Sequence, residues 1–118
     1  MKQKNIYKNV YLRALLVLSV SFISSCSKKD DKPVDPLVSR GKSVYMANCT
    51  ACHNSDPQLV GSIGPDIAGS SLELVMSRVV HQSYPPGYAP KRKTALMPPL
   101  PFLEKDVPAI HAYLNSFK

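Results

Sequence analysis

The pentapeptide CTACH, Cys49 to His53, sets two cysteines three positions apart and a histidine directly behind the second. Residues three apart on a helical turn are neighbours, with about 5–6 Å between their Cβ atoms. The residue after them is rotated by roughly 100° at 3.6 residues per turn, so the His53 ring can aim beside the two sulfurs. Three chemistries use such a cluster: a covalently held haem, a metal knuckle, and a redox dithiol with an uninvolved histidine.

A structural zinc site needs four ligands, as a rule with a second pair at comparable spacing. None is present, because His81 and His111 stand singly and the third cysteine, Cys26, lies in a different context. A redox dithiol accounts for Cys49 and Cys52 but leaves His53 idle, and it prefers a strand–helix context that this chain lacks. Haem attachment uses all three residues. Cys49 and Cys52 would bond as thioethers to adjacent vinyl groups on one edge of the macrocycle, while His53 offers a ring nitrogen to the iron.

Three cysteines leave one unpaired thiol, which in an exported chain calls for an explanation. The N-terminus supplies it. Lys2, Lys4, Lys8 and Arg13 form a basic leader, followed by an apolar run from Ala14 to Ile23 broken only by Ser19 and Ser21. A membrane-spanning helix wants ~20 mainly apolar residues. This run is half that, which fits the core of a signal peptide. It ends Ile23, Ser24, Ser25, Cys26, which resembles a bacterial lipobox. The expectation is a lipoprotein signal peptide over 1–25, cut before a lipidated Cys26. The protein would then be held on the periplasmic side of a membrane of the bacterial cell envelope.

The formal charge of +7 shrinks accordingly. Four of the 15 basic residues lie in the leader, leaving 11 against 8 acidic ones. Nucleic-acid binding is therefore not indicated, and the remaining bias is local, at Lys91, Arg92 and Lys93. The stretch SKKDDKPVDP, with two prolines and one apolar residue, cannot bury a face. It extends the lipidated terminus into a flexible tether over 26–36. A single domain follows over 37–118. A domain of that size is marginal by itself, and it has no tryptophan. A flat apolar macrocycle would replace the missing aromatic bulk.

Three helices are expected. The first starts after Pro36 and carries Leu37, Val38, Gly41, Val44 and Tyr45 on one side, into Cys49. Ser70 with Glu73 three residues later has a capping-box pattern for the second, with an apolar stripe at Leu72, Val75, Met76 and Val79, ending before Pro85. The third carries Val107, Ile110, Tyr113, Leu114 and Phe117. Pro108 belongs in its first turn, which puts its start at about Leu103 to Asp106. Between the second and third helices, prolines at 85, 86, 90, 98, 99 and 101 exclude regular structure, and this irregular segment holds Met97.

Together these residues resemble a small bacterial class I cytochrome c over Leu37 to Lys118. Gly41 and Tyr45 are similar to that family's first helix, Ile110, Tyr113 and Leu114 to its last. Gly64 and Pro65, in IGPDIAG, match the loop whose proline carbonyl accepts a hydrogen bond from the haem-binding histidine. Met97 and Pro98 match the axial methionine segment. The resemblance implies an all-α fold wrapped around one haem c, covalent through Cys49 and Cys52. His53 and Met97 would be the iron ligands.

Other residues could occupy the sixth position. Met46 lies too close to Cys49, and Met76 falls in the apolar stripe of helix two, where packing is its expected role. His111 is flanked by Ile110 and Ala112 on helix three, where a solvent-facing or capping role is expected. His81, near the end of helix two, can favour that terminus electrostatically. Met97, in an irregular segment, is the expected ligand. Arg78, Tyr84 and Tyr88 could hydrogen-bond the haem propionates. Lys91, Arg92 and Lys93 are either a solvated loop or a docking rim for an acidic redox partner.

The expected function is a monomeric, membrane-anchored carrier of single electrons between extracytoplasmic redox proteins, with no catalytic residue. The alternative is a haem enzyme or gas-binding sensor with an open or labile sixth position. It would want acid–base groups beside Met97, whose neighbours are Leu96, Pro98, Pro99 and Leu100.

Overall fold

Helix α1, Pro36–Asn48, begins where the charged segment ends. Asp35 is its N-cap and accepts the Leu37 N–H at 2.8 Å. Pro36 takes the first helical position, where its missing N–H has no helical partner to lose. The helix thus starts one residue ahead of the expected domain boundary. The structure, a computed structural model, describes residues 33–117. The expected signal peptide, Cys26 and most of the tether lie outside those residues.

Along α1 the buried residues are Gly41 and Tyr45, one turn apart. Val38 and Val44 are partly buried against the core. Leu37, expected on the buried side, is exposed. Its neighbour Val38 is the first-turn residue that reaches the core, and Arg40 bonds the Asp106 carboxylate at 2.5–2.6 Å.

Helix α2, Leu72–His81, buries Val75, Val79 and Val80, with Met76 packed at the edge. Its cap sits one residue later than the capping-box pattern implies. Ser71, in extended conformation, accepts the Leu74 N–H at 3.2 Å. The Ser70 hydroxyl is committed elsewhere, donating to the Ile67 carbonyl at 2.7 Å. With Ser71 as cap, the third helical position is Leu74, so Glu73 cannot close the box. It remains in the first turn, where a negative charge suits the helix dipole. Leu72, at the first helical position, is exposed rather than part of the buried stripe.

A 3-10 helix over Pro101–Asp106 leads directly into α3, Val107–Leu114. Pro101 and Pro108 each occupy an early position of their helix, where no backbone donor is needed. Helix α3 packs mainly on α1, while α2 packs on the 3-10 helix and on α3. The α1–α3 crossing is at Gly41: a methyl group there would be driven into the Ala109 carbonyl and come within 2.9 Å of the Tyr113 Cβ. Among the described residues every regular element is helical.

The core is Tyr45, Val75, Val79, Val80, Leu103, Val107, Ile110, Tyr113 and Leu114. Each such aliphatic side chain contributes about 1.5–3 kcal/mol on full burial. The Tyr45 and Tyr113 rings lie 5.3 Å apart and tilted, with Phe117 edge-on to Tyr113 at 5.1 Å. Tyr45 has no exposed surface, and its hydroxyl donates to the Asn54 carbonyl at 2.6 Å. Helix α1 is thereby tied to the segment just beyond His53.

Candidate cofactor site

Helix α1 ends at Asn48, and Cys49 caps it, donating its N–H to the Tyr45 carbonyl. The CTACH residues continue as a tight turn rather than as α-helix. The Cys49 carbonyl closes that turn by accepting N–H bonds from Cys52 at 3.1 Å and His53 at 2.9 Å. The i to i+4 bond to His53 preserves one helical repeat across the motif, so the spacing argument survives the end of the helix.

The loop after the motif is built around His53. The Cys52 carbonyl accepts from the amides of Ile63 and Gly64. A Cβ at Gly64 would clash with the imidazole, 2.5 Å from Nδ1, and one at Gly61 would lie 2.6 Å from the His53 Cα. Glycine is required at both positions for this close approach. The Pro65 carbonyl then lies 2.8 Å from His53 Nδ1. A carbonyl can only accept, so Nδ1 carries the proton and Nε2 keeps its lone pair. This is how a metal-binding histidine is oriented by an outer partner.

Cys49, Cys52, His53, Pro65 and Met97 all line one cleft of about 370 Å³. Its apolar walls include Leu74, Val75, Val79, Leu100, Ile110 and Leu114, from α2, α3 and the segment after Met97. Met97 is partly buried and packs against the core. Of the other ligand candidates, Met76 packs on the core outside the lining, Met46 is exposed on α1, and His81 is exposed at the end of α2. His111 is half-buried, and its carbonyl accepts from Asn115. Of these candidates the structure brings only Met97 into the cleft with His53.

Cys49 and Cys52 form no disulfide, and both are half-buried. Burial, followed by the neighbouring Cys52, pushes the Cys49 thiol up to about 11. It is therefore neutral at pH 7, as suits a sulfur packed on an apolar wall. Tyr45 is held well above the usual phenol range, first by burial and then by Cys49, Tyr113 and Asp56.

One side of the cleft is basic and aromatic. The Arg78 guanidinium lies 4.4 Å over the Tyr84 ring, and Tyr84 stacks on Tyr88 at 5.4 Å. Arg78 has no carboxylate partner among the described residues. Lys91 and Arg92, two of the three residues of the basic run, bond back to the loop beside His53. Lys91 bonds the Asp66 carboxylate at 2.5 Å and its carbonyl at 2.9 Å, and Arg92 donates to the Ile63 carbonyl. Lys91 holds the Asp66 carboxyl below its ordinary range. The two residues join the Met97 segment to the loop beside His53. Gly61 and Asp66 take part in the site without any signal in the motif itself. Their only sequence mark is their place in the loop ending at Gly69.

These donors fit a haem. Two free thiols and an imidazole with its outer nitrogen fixed share an apolar cleft with one thioether. Basic and phenolic groups at its side suit an anionic substituent. The family model for cytochrome c matches residues 38–118, most of the chain and all of this site. The protein belongs to the cytochrome c family. Its cofactor is a covalent haem c, for which Cys49 and Cys52 have the attachment spacing, and its class is that of haem-binding electron carriers. Comparison with curated proteins and with solved structures yields no match.

Proposed function

We propose that the protein is a lipid-anchored monohaem electron carrier whose iron is ligated by His53 and Met97. The observation that carries this reading is the shared cleft: it is lined by Met97 and by a His53 whose Nδ1 is committed to the Pro65 carbonyl. Bound haem supplies a one-electron iron couple, with a potential that methionine ligation raises. The chain's residues do the rest. Pro65 fixes the His53 tautomer, Gly61 and Gly64 let the loop close on the ring, and the α2 and α3 walls exclude water. Arg78, Tyr84 and Tyr88 would hold the propionates. The chain neighbours of Met97, Leu96, Pro98, Pro99 and Leu100, are all apolar, which favours electron transfer over chemistry on a bound substrate.

Cys26 is the lipid anchor in this reading, and residues 27–35 give the domain reach from a membrane surface. Redox partners meet the protein at its basic side, where Lys93 is exposed and, unlike Lys91, has no carboxylate partner among the described residues. The test is the optical spectrum of matured protein, oxidised and reduced, with and without carbon monoxide. Ferric protein should show the weak long-wavelength charge-transfer band of methionine-ligated haem, and the reduced form should not bind carbon monoxide. Met97→Ala should erase the band and admit carbon monoxide. A native protein that lacks the band and binds carbon monoxide readily is an open-site haem protein instead.

A further inference from the structure

Pro98 and Pro99 restrict the backbone beside Met97, but neither has an N–H with which to tie it to the fold. The segment is held from α2. The Leu100 N–H donates to the Val79 carbonyl at 2.6 Å, on the far side of the two prolines. On the near side Lys91 and Arg92 tie the start of the segment to the loop beside His53, and the carbonyls next to the sulfur are held by one side chain: Gln82 Nε2 donates to the Ala95 carbonyl at 3.2 Å and to the Met97 carbonyl at 3.0 Å. Both acceptors are carbonyl oxygens, so the amide must present its nitrogen to them.

Gln82 is also the residue that ends α2, and it does so in the left-handed conformation, φ 54° and ψ 27°. It is the one residue other than glycine with a positive φ among the described residues. This conformation is disfavoured for any side chain with a Cβ, and glycine or asparagine is the usual choice at such a helix end. Glutamine has no advantage there as a cap. Its length does matter: the amide spans from the end of α2 to carbonyls 13 and 15 residues further on, and asparagine is one methylene shorter.

We infer that Gln82 is a positioning residue for Met97, its amide holding the methionine backbone against the C-terminal end of α2 so that the sulfur stays over the cleft. This rests on Met97 being the iron ligand. Gln82 touches neither iron nor substrate, and it acts only through the carbonyls of residues 95 and 97. Restraining the free segment reduces the freedom Met97 must give up to bind, which favours it over a competing ligand from solution.

The experiment titrates imidazole into the ferric holoprotein, following the spectrum, for wild type, Gln82→Gly, Gln82→Asn and Met97→Ala. Both Gln82 variants accept the left-handed backbone, so helix content by circular dichroism should equal that of wild type. A residue that only caps the helix predicts unchanged imidazole binding in both. A positioning residue predicts a rise in imidazole affinity of roughly three- to tenfold, the effect of about one net hydrogen bond in a solvent-accessible place. Wild-type affinity in both variants, with the charge-transfer band lost in Met97→Ala, overturns the role of Gln82 and leaves the Met97 ligand standing. A band that survives in Met97→Ala overturns the ligand assignment and, with it, the role of Gln82.

Discussion

Replacing Tyr45 with phenylalanine removes one oxygen atom from a side chain with no exposed surface. The ring stays, and so does its tilted contact with Tyr113 at 5.3 Å. What disappears is the 2.6 Å bond to the Asn54 carbonyl. That acceptor is part-buried, so it is only partly rescued by water, and the loss should cost about 1–2 kcal/mol at pH 7. For a domain of this size each kcal/mol is worth about 4–8 °C, so the melting temperature should fall by roughly 5–15 °C. The pH dependence makes the test sharper. Burial is the first cause of the raised Tyr45 pKa and persists in the holoprotein, whereas Cys49 as a thioether no longer ionises. An unfolded phenol titrates near ~10. Above that pH the unfolded state binds fewer protons than the folded one. Tyr45's contribution is therefore complete below pH ~10 and is lost as pH rises towards the folded value, at up to about 1.4 kcal/mol per pH unit. The phenylalanine variant escapes that loss, while Tyr113, also raised by burial, contributes alike to both proteins. Denaturant melts of the two holoproteins from pH 7 to 11 should show a gap that is constant to about pH 10 and narrows beyond it. A gap that stays constant or widens at pH 11 would refute the claim that the fold prefers the neutral phenol. No gap at pH 7 would refute a stabilising role for the bond.

Two further outcomes test the anchor and the docking side. Cys26→Ala should move the protein from the membrane fraction to the soluble one, because stable attachment requires more than one acyl chain, as a lipoprotein terminus carries; unchanged fractionation counts against Cys26. Charge reversal of the whole run at 91–93 would break the Lys91–Asp66 pair and the Arg92 bond to Ile63, so Lys93→Glu alone is the cleaner probe of docking. It should slow electron transfer to the native partner at low salt, the difference fading as the Debye length drops to about 3 Å at 1 M. Equal low-salt rates would leave Lys93 a solvated residue.

The chemistry of this chain is local, and for that reason legible. CTACH places its donors within five residues, so one turn suffices to group them however the helix around them ends. The prolines near Met97 likewise exclude helix and strand by their own geometry. Helical periodicity correctly marked Gly41, Tyr45, Val75, Ile110 and Tyr113 as inward. It could not tell which first-turn residues reach the core: Val38 does, while Leu37 and Leu72 stand exposed. The choice of Ser71 over Ser70 as cap depended on Ile67 engaging Ser70. The basic run read as three equivalent charges, yet two of them bond to Asp66 and Ile63, residues 25 and 29 positions away. Gln82 carried no signal at all, because its role rests on a backbone conformation and on two carbonyls that only the folded chain brings within reach. Residue type and short-range spacing determine which groups exist and which face they share. Which of them find partners across the chain is decided by how the helices cross, and that crossing depends on the joint packing of Gly41, Ala109 and Tyr113, set by contacts between distant parts of the sequence.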